Sequence, residues 1–213
     1  MLLLTLCAII VESMPQKFNP RNIKLIVGLG NEGSEYENTY HNVGWQALDY
    51  LAGSTHFKKM GSKPFRFAKI SALPPLIKPL PFMNVSGHGT AAAYEMDWGI
   101  KNIDDDAPQQ KKSPRNVIVI HDDSDIPIGE YKIQFGGGSA GHKGIISHIQ
   151  KLGSESFWRI RIGIRKMPHA ETVRPQRLKA GDFVLSPITN EDALILRSVF
   201  EHVAHDLELR EHQ

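Results

Sequence analysis

The sequence predicts an α/β fold in which one sheet is sandwiched between helices on both of its faces. Three observations predict it. Strand-like apolar runs alternate with segments of helical periodicity along the chain. One run, residues 117–120 (VIVI), is continuously apolar, as in a strand buried on both faces. No repeat or low-complexity segment interrupts the alternation. With 213 residues, one sizeable core is expected. A single domain is therefore predicted over 21–213, with residues 1–20 set apart as an extension.

Each element has its own local reason. Residues 23–27 form an apolar strand that runs into glycine. Residues 42–53 read as a helix: Val43, Ala47 and Leu51 fall at i, i+4 and i+8, Leu48 and Ala52 widen the stripe, and Gly53 supplies a C-cap. Between 65 and 80, Pro74, Pro75 and Pro79 break short apolar runs, which favours strands or edges. Residues 86–98 look helical. Residues 101–114 are polar, charged and proline-bearing, and predict an exposed loop insertion. Pro127 and Gly129 mark a turn, and residues 131–135 alternate as a strand with one wet face. A short helix follows over 144–153. In 158–165, Trp158, Ile160, Ile162 and Ile164 alternate with Arg159, Arg161, Gly163 and Arg165, which predicts a half-buried strand with an arginine-bearing outer face. Thr189 opens a long amphipathic helix to about 209, with Asp192 at the capping-box position.

Composition narrows the class. Hydrophobic residues make up 41% and charged residues 23%, an ordinary globular mix. The single cysteine, Cys7, excludes an internal disulfide framework and a thiolate metal cluster. Net charge is only +2, but it is unevenly placed. Residues 159–179 hold seven cations against one acid, and 182–213 hold seven acids against two arginines. A concentrated basic strip suits a polyanionic partner. The N-terminal stretch MLLLTLCAIIV is too short to span a bilayer as a helix, so no membrane partner is expected. It lacks a basic n-region, and Glu12 and the absence of arginine before Arg21 weigh against a mitochondrial presequence. The compartment stays open between cytoplasm and mitochondrion.

Three motifs match on paper and fail on context. Gly28, Gly30 and Gly33 spell G-x-G-x-x-G after a strand, with Asp49 about twenty residues on. A dinucleotide site needs its helix to start at the glycines and its acid to end the next strand; Asp49 instead lies inside the helical pattern. Residues 137–141 fit G-x-S-x-G, which would make Ser139 an esterase nucleophile with Asp182 and His202 or His205 as partners. The preceding strand is half polar, however, and four glycines in residues 136–141 favour a pliable loop over a strained elbow. His121, Asp122, Asp123 and Asp125 cannot all converge on a metal, because neighbours on a strand face opposite ways. One or two acids in a strand-end cleft is the better reading.

A set of residues survives. Asn31 and Tyr36 follow the first strand, His41 opens the next helix, Asn84 follows Phe82 and Met83, and Asp122 ends the buried strand. Ligands of α/β sheets bind at the carboxyl ends of strands, so these residues are natural neighbours. An imidazole backed by a carboxylate is a general base. Asparagines add neutral donors that can position water or polarise a carbonyl. Singly, His41 as a helix cap and Asp122 as a strand end would be unremarkable; the set points to chemistry.

The stretches KLIVGLGNEG, HNVGW, MNVSG, VIVIHDD, GGGSAGHKGI and RIRIGI, in this order over about 23–185, resemble bacterial-type peptidyl-tRNA hydrolases. The resemblance implies a monomeric α/β fold around a mixed sheet. It implies hydrolysis of the ester joining a peptide to the 3′ end of tRNA, with no metal or cofactor. By position, His41 matches the catalytic base and Asp122 its carboxylate partner. Asn31 and Asn84 match substrate-binding residues near the reacting carbonyl. Tyr36 matches a residue near the terminal adenosine or phosphate, and Met83, beside Phe82, lines the peptide channel. His142 joins the substrate-binding set. Lys143, Arg159 and Arg161 are expected to contact tRNA phosphates. The bond is an activated ester, so base-assisted water suffices.

Five positions depart from the family pattern: Lys143 replaces an asparagine, Glu32 a proline, Tyr40 an arginine, Pro81 a threonine and Arg165 a glycine. They mark a divergent member. Splicing factors of plant organelles share this fold as RNA-binding scaffolds without hydrolysis. Retention of His41, Asp122, Asn31 and Asn84 favours the enzyme.

Overall fold

The computed structural model describes residues 17–71, 73–96, 98, 114–166 and 183–207. Seven strands form one mixed sheet: β1 Leu25–Gly28, β2 Lys58–Lys59, β3 Phe65–Ala68, β4 Leu76–Pro79, β5 Val117–Pro127, β6 Tyr131–Phe135 and β7 Trp158–Arg165. Their spatial order is β2-β3-β4-β1-β5-β7-β6. β4, β1, β5 and β7 run parallel in the middle, and antiparallel strands close both margins.

Alternate side chains of the central strands feed two cores. Ile26, Ile118, Ile120 and Ile160 pack with Val43, Ala47 and Leu48 of α1 (Val43–Ala52) and Leu196 and Val203 of α4 (Asn190–Asp206). Val27, Val119, Phe65 and Ile77 face the other way, against Ala93 of α2 (Gly87–Tyr94) and Ile145 of α3 (Lys143–Leu152). Helices thus cover both faces, as the alternating pattern predicts. α1 lies close against the end of β1: a Cβ on Gly28 would stand 2.3 Å from the Gly44 carbonyl oxygen. Gly30 likewise faces α1, where a Cβ would meet the Trp45 ring at 2.5 Å, and no helix starts at the glycines.

Four expectations change. The helix expected over 86–98 stops at Tyr94, and the Trp98 indole folds back to donate to the Ala93 carbonyl at 2.8 Å. β5 does not end with its apolar run but continues to Pro127, so Asp122 lies within the strand; His121, Asp122 and Asp123 are all buried. β7 is not half-buried. It sits between β5 and β6, and its Arg159 is only 3% exposed. Finally, Thr189 caps α4 by accepting from the Asp192 N–H at 3.2 Å, but the Asp192 carboxylate does not return the bond and pairs with Tyr40 and Lys166. Of the expected insertion, only Pro114 is described; it is buried in a single 3-10 turn, Pro114–Asn116. Residues 101–113 of the expected insertion and residues 1–16 lie outside the described residues.

Candidate active site

A cleft of about 490 Å³ opens where β1 and β4 end and β5 passes. It is lined by Asn31, Tyr36, His41, Phe82, Met83, Asn84, Asp122, His142 and Lys143, together with Val184 and Leu185. The set expected from the sequence therefore meets in one place, except Arg159 and Arg161.

At its centre is Asp122, with both oxygens 3.1 Å from Nδ1 of His41. A second imidazole, His142, brings Nε2 to 2.9 Å from Oδ1. His142 is the N-cap of α3, and its Nδ1 accepts from the N–H groups of Gly144 (3.1 Å) and Ile145 (3.3 Å). That nitrogen must present a lone pair, so Nε2 carries the proton and donates to Asp122. Burial pushes the Asp122 carboxyl up, but His142 and His41 pull it down further, well below the usual carboxylate range. An ionised carboxylate only accepts, so His41 holds its proton on Nδ1. Its Nε2 has no hydrogen-bond partner among the described residues.

Nitrogen and oxygen atoms of His41, Asp122 and His142 lie within 4.8 Å of one another, a spacing that could suggest a metal. The hydrogen bonds argue otherwise. A metal needs a lone pair on Nε2 of His142, and the two N–H groups at its Nδ1 force the proton onto that Nε2. The donor set fits a proton relay.

Neighbouring residues stiffen this group. The His121 Nδ1–H donates to the Asp122 carbonyl at 2.7 Å, and its ring stands edge-on to His142 at 4.8 Å. Burial holds His121 well below the usual imidazole range. Asn31 accepts the Met83 N–H on its side-chain oxygen at 2.8 Å, which leaves Nδ2 as a donor for the cleft. Asn42 binds the Asn31 backbone in both directions, at 2.8 and 3.0 Å. Asn84 is exposed on the rim, and Phe82 (60% exposed) meets Tyr36 edge-on at 6.5 Å. Lys143 stands exposed in the first turn of α3, on the cleft wall, where the helix N-terminus adds positive potential.

The two arginines are internal braces. Arg159 donates to the carbonyls of Gly137 and of Gly138, the latter at 2.7 Å. Arg161 binds Asp123 at 2.7 Å and Gln134 at 2.6 Å, which explains how Asp123 tolerates burial. Ser139 does not stand on an elbow: its Oγ accepts the Gly141 N–H at 3.2 Å, and the positive φ belongs to Ala140 (49°). Its supposed partner His202 binds the Ser198 carbonyl, His205 is exposed, and Asp182 lies outside the described residues. Asp49 is on α1, paired with Lys78.

A sequence profile described as "Peptidyl-tRNA hydrolase" matches residues 25–212. The chain belongs to the peptidyl-tRNA hydrolase family. Among curated relatives, the peptidyl-tRNA hydrolase of Coprothermobacter proteolyticus is 35% identical over 194 residues, 86% of each chain. That of Chlorobaculum tepidum is 38% identical over 175 residues, 80% of this chain and 81% of the relative. The crystal structure of the Acinetobacter baumannii peptidyl-tRNA hydrolase superposes with a TM-score of 0.68 at 26% identity, covering 88% of both chains.

Three features of this family member escape a reading of the sequence. Asn42 holds the Asn31 loop, and its only signal is its place after His41. Val184 and Leu185 build a cleft wall from a segment with no motif. His142 is legible as part of the glycine loop, but its reach to Asp122 is not.

Proposed function

We propose that this chain hydrolyses peptidyl-tRNA, releasing peptide and tRNA, with water activated by His41. The observation that carries the reading is the anchored imidazole: Nδ1 is held by both oxygens of Asp122 while Nε2 is free at the cleft. A water donates its proton to Nε2 as its oxygen attacks the ester carbonyl. The imidazolium so formed is stabilised by the Asp122 carboxylate. Negative charge gathers on the former carbonyl oxygen, within range of Asn31 Nδ2, the Asn84 amide and the Lys143 ammonium. Collapse breaks the bond to the 3′ oxygen of tRNA, which takes the proton back from His41. The peptide leaves as a carboxylic acid and gives its remaining proton to solvent.

The rim supports the substrate. Tyr36 and the exposed Phe82 offer aromatic faces for the terminal base, and Met83 an apolar wall for the peptide. Lys143 meets phosphate, while Arg159 and Arg161 brace the glycine loop and Asp123 beneath. Action as a monomer is part of the proposal, as the family resemblance implies; sizing-column elution at the mass of a dimer would oppose it. A tRNA substrate places the chain in cytoplasm or mitochondrion, and no helix among the described residues is long and apolar enough to cross a membrane. A reporter fused to residues 1–20 decides the compartment.

The test is cleavage of a model peptidyl-tRNA. His41→Ala is expected to lose about 10²–10⁴ of the rate while still binding tRNA. Unchanged turnover would remove His41 from the reaction.

A further inference from the structure

Both sequence neighbours of His41 are gripped by side-chain hydrogen bonds, and to different parts of the molecule. Asn42 grips the Asn31 loop. Tyr40 points the other way. It is 1% exposed, its ring packs edge-on to Phe183 at 6.2 Å, and its hydroxyl donates to the Asp192 carboxylate in the first turn of α4. Lys166 lies 2.9 Å from the same carboxylate oxygen and 5.5 Å from the centre of the Tyr40 ring. The backbone on either side is stitched to the same region. Thr39 bridges Pro187, Ile188 N–H donates to Asn38 O at 2.8 Å, and His41 N–H donates to Val184 O at 2.8 Å.

A phenylalanine would fill the Tyr40 site equally well, so the buried hydroxyl needs a separate reason. Asp192 is also costly: it is 7% exposed and gives up its half of the capping box to reach Tyr40. Burial and the Asp192 bond hold the Tyr40 hydroxyl above its ordinary range, so it stays a donor at neutral pH. Burial opposes the charge on Asp192, but Tyr40 and Lys166 outweigh it and keep the carboxylate ionised.

We propose that Tyr40, Asp192 and Lys166 form a positioning cluster that sets the backbone of His41, and through it the aim of the imidazole between Asp122 and the cleft. None of the three touches substrate. Loss of the hydroxyl lets residues 39–41 shift against α4, and a displacement of ångström scale at a base costs rate without changing the groups that bind tRNA. The proposal rests on His41 being the base.

The molecule supplies its own control. Tyr131 of β6 donates to Asp206 at 2.6 Å, a second tyrosine–carboxylate tie on α4, at its opposite end from the Tyr40 tie. The experiment compares Tyr40→Phe, Lys166→Met and Tyr131→Phe in the full chain. It reads kcat and KM on a model peptidyl-tRNA, thermal midpoint, and the ¹⁵N signals of the His41 ring. Tyr40→Phe is expected to lower kcat about tenfold, with KM within about twofold, and to move the His41 signals. Lys166→Met should do the same to a lesser degree. Tyr131→Phe should lower the thermal midpoint with kcat and His41 signals unchanged. Tyr40→Phe with Asp192→Ala should fall no further than Asp192→Ala alone, since both remove the Tyr40–Asp192 bond.

Wild-type kcat in Tyr40→Phe, or equal losses in Tyr40→Phe and Tyr131→Phe, would overturn the proposal and leave a packing tie. Should Tyr40→Phe fail to fold, Lys166→Met decides, because that side chain is 54% exposed. Unchanged kcat and unchanged His41 signals there would overturn it too. The ring signals respond whether or not His41 is the base, so they separate failure of this proposal from failure of the catalytic reading.

Discussion

Asp122 is approached from both layers of the sandwich, and the two approaches differ. From the α1 layer comes His41, held at Nδ1 and free at Nε2. From the α3 layer comes His142, whose Nε2 donates to Asp122 while two backbone N–H groups occupy Nδ1. Same side chain, same carboxylate, ring centres 5.2 Å apart, yet only one can take a proton from water. What holds the far nitrogen of each ring therefore decides which of the two is available as a base. His142 helps keep Asp122 charged and fixed; in the proposed reaction His41 draws on that charge as it becomes imidazolium.

Removing the shared acceptor should do most harm. Asp122→Asn turns part of the acceptor into a donor facing two N–H groups. Turnover should fall about 10²–10⁴-fold, read in steady-state cleavage with tRNA affinity little changed. Retained turnover would mean that His41 needs no carboxylate behind it.

Lys143 tests the α3 side of the cleft for chemistry. Lys143→Met should lower kcat/KM several-fold and flatten its dependence on salt, because the proposed phosphate contact is lost. A salt slope equal to that of the wild type would confine Lys143 to the surface.

His148 extends the comparison to a third imidazole. It is fully buried, with Nδ1 at 2.8 Å from Gly144 O and Nε2 at 2.6 Å from Thr90 Oγ1. Burial lowers its pKa to about 4, against about 6.5 in the unfolded chain. The unfolded state therefore binds a proton that the native state refuses. Stability from the neutral ring is complete above about pH 6.5 and is lost as pH falls toward about 4. Thermal melts should drop across that window, and less steeply in His148→Gln, with kcat at neutral pH within about twofold of wild type. An identical acid profile in the variant would assign the drop to other groups.

How far the sequence could be read follows from what each residue's signal reports. Periodicity reports burial of apolar side chains, so β1, α1, the first half of β5 and α4 are legible. It misses buried polar residues, whose burial depends on partners distant in the chain. β5 runs on through His121, Asp122 and Asp123 because Arg161, His41 and His142 meet them. Arg159 and Arg161 read as a wet face only because the glycine loop and Asp123 that receive them are invisible to alternation. Asp192 reads as a capping-box acid because local spacing cannot anticipate Tyr40. In the site, residue types at strand ends single out His41, Asp122, Asn31 and Asn84. The direction of each proton, and hence the difference between His41 and His142, emerges only from geometry.

The most direct test of that difference is the single-turnover rate of peptidyl-tRNA cleavage by His41→Ala and His142→Ala, measured side by side at saturating enzyme. A loss of about 10²–10⁴ is expected for His41→Ala and of about tenfold for His142→Ala, which gives up an anchor and a helix cap but not the proposed base. Equal losses, or a larger loss in His142→Ala, would contradict it.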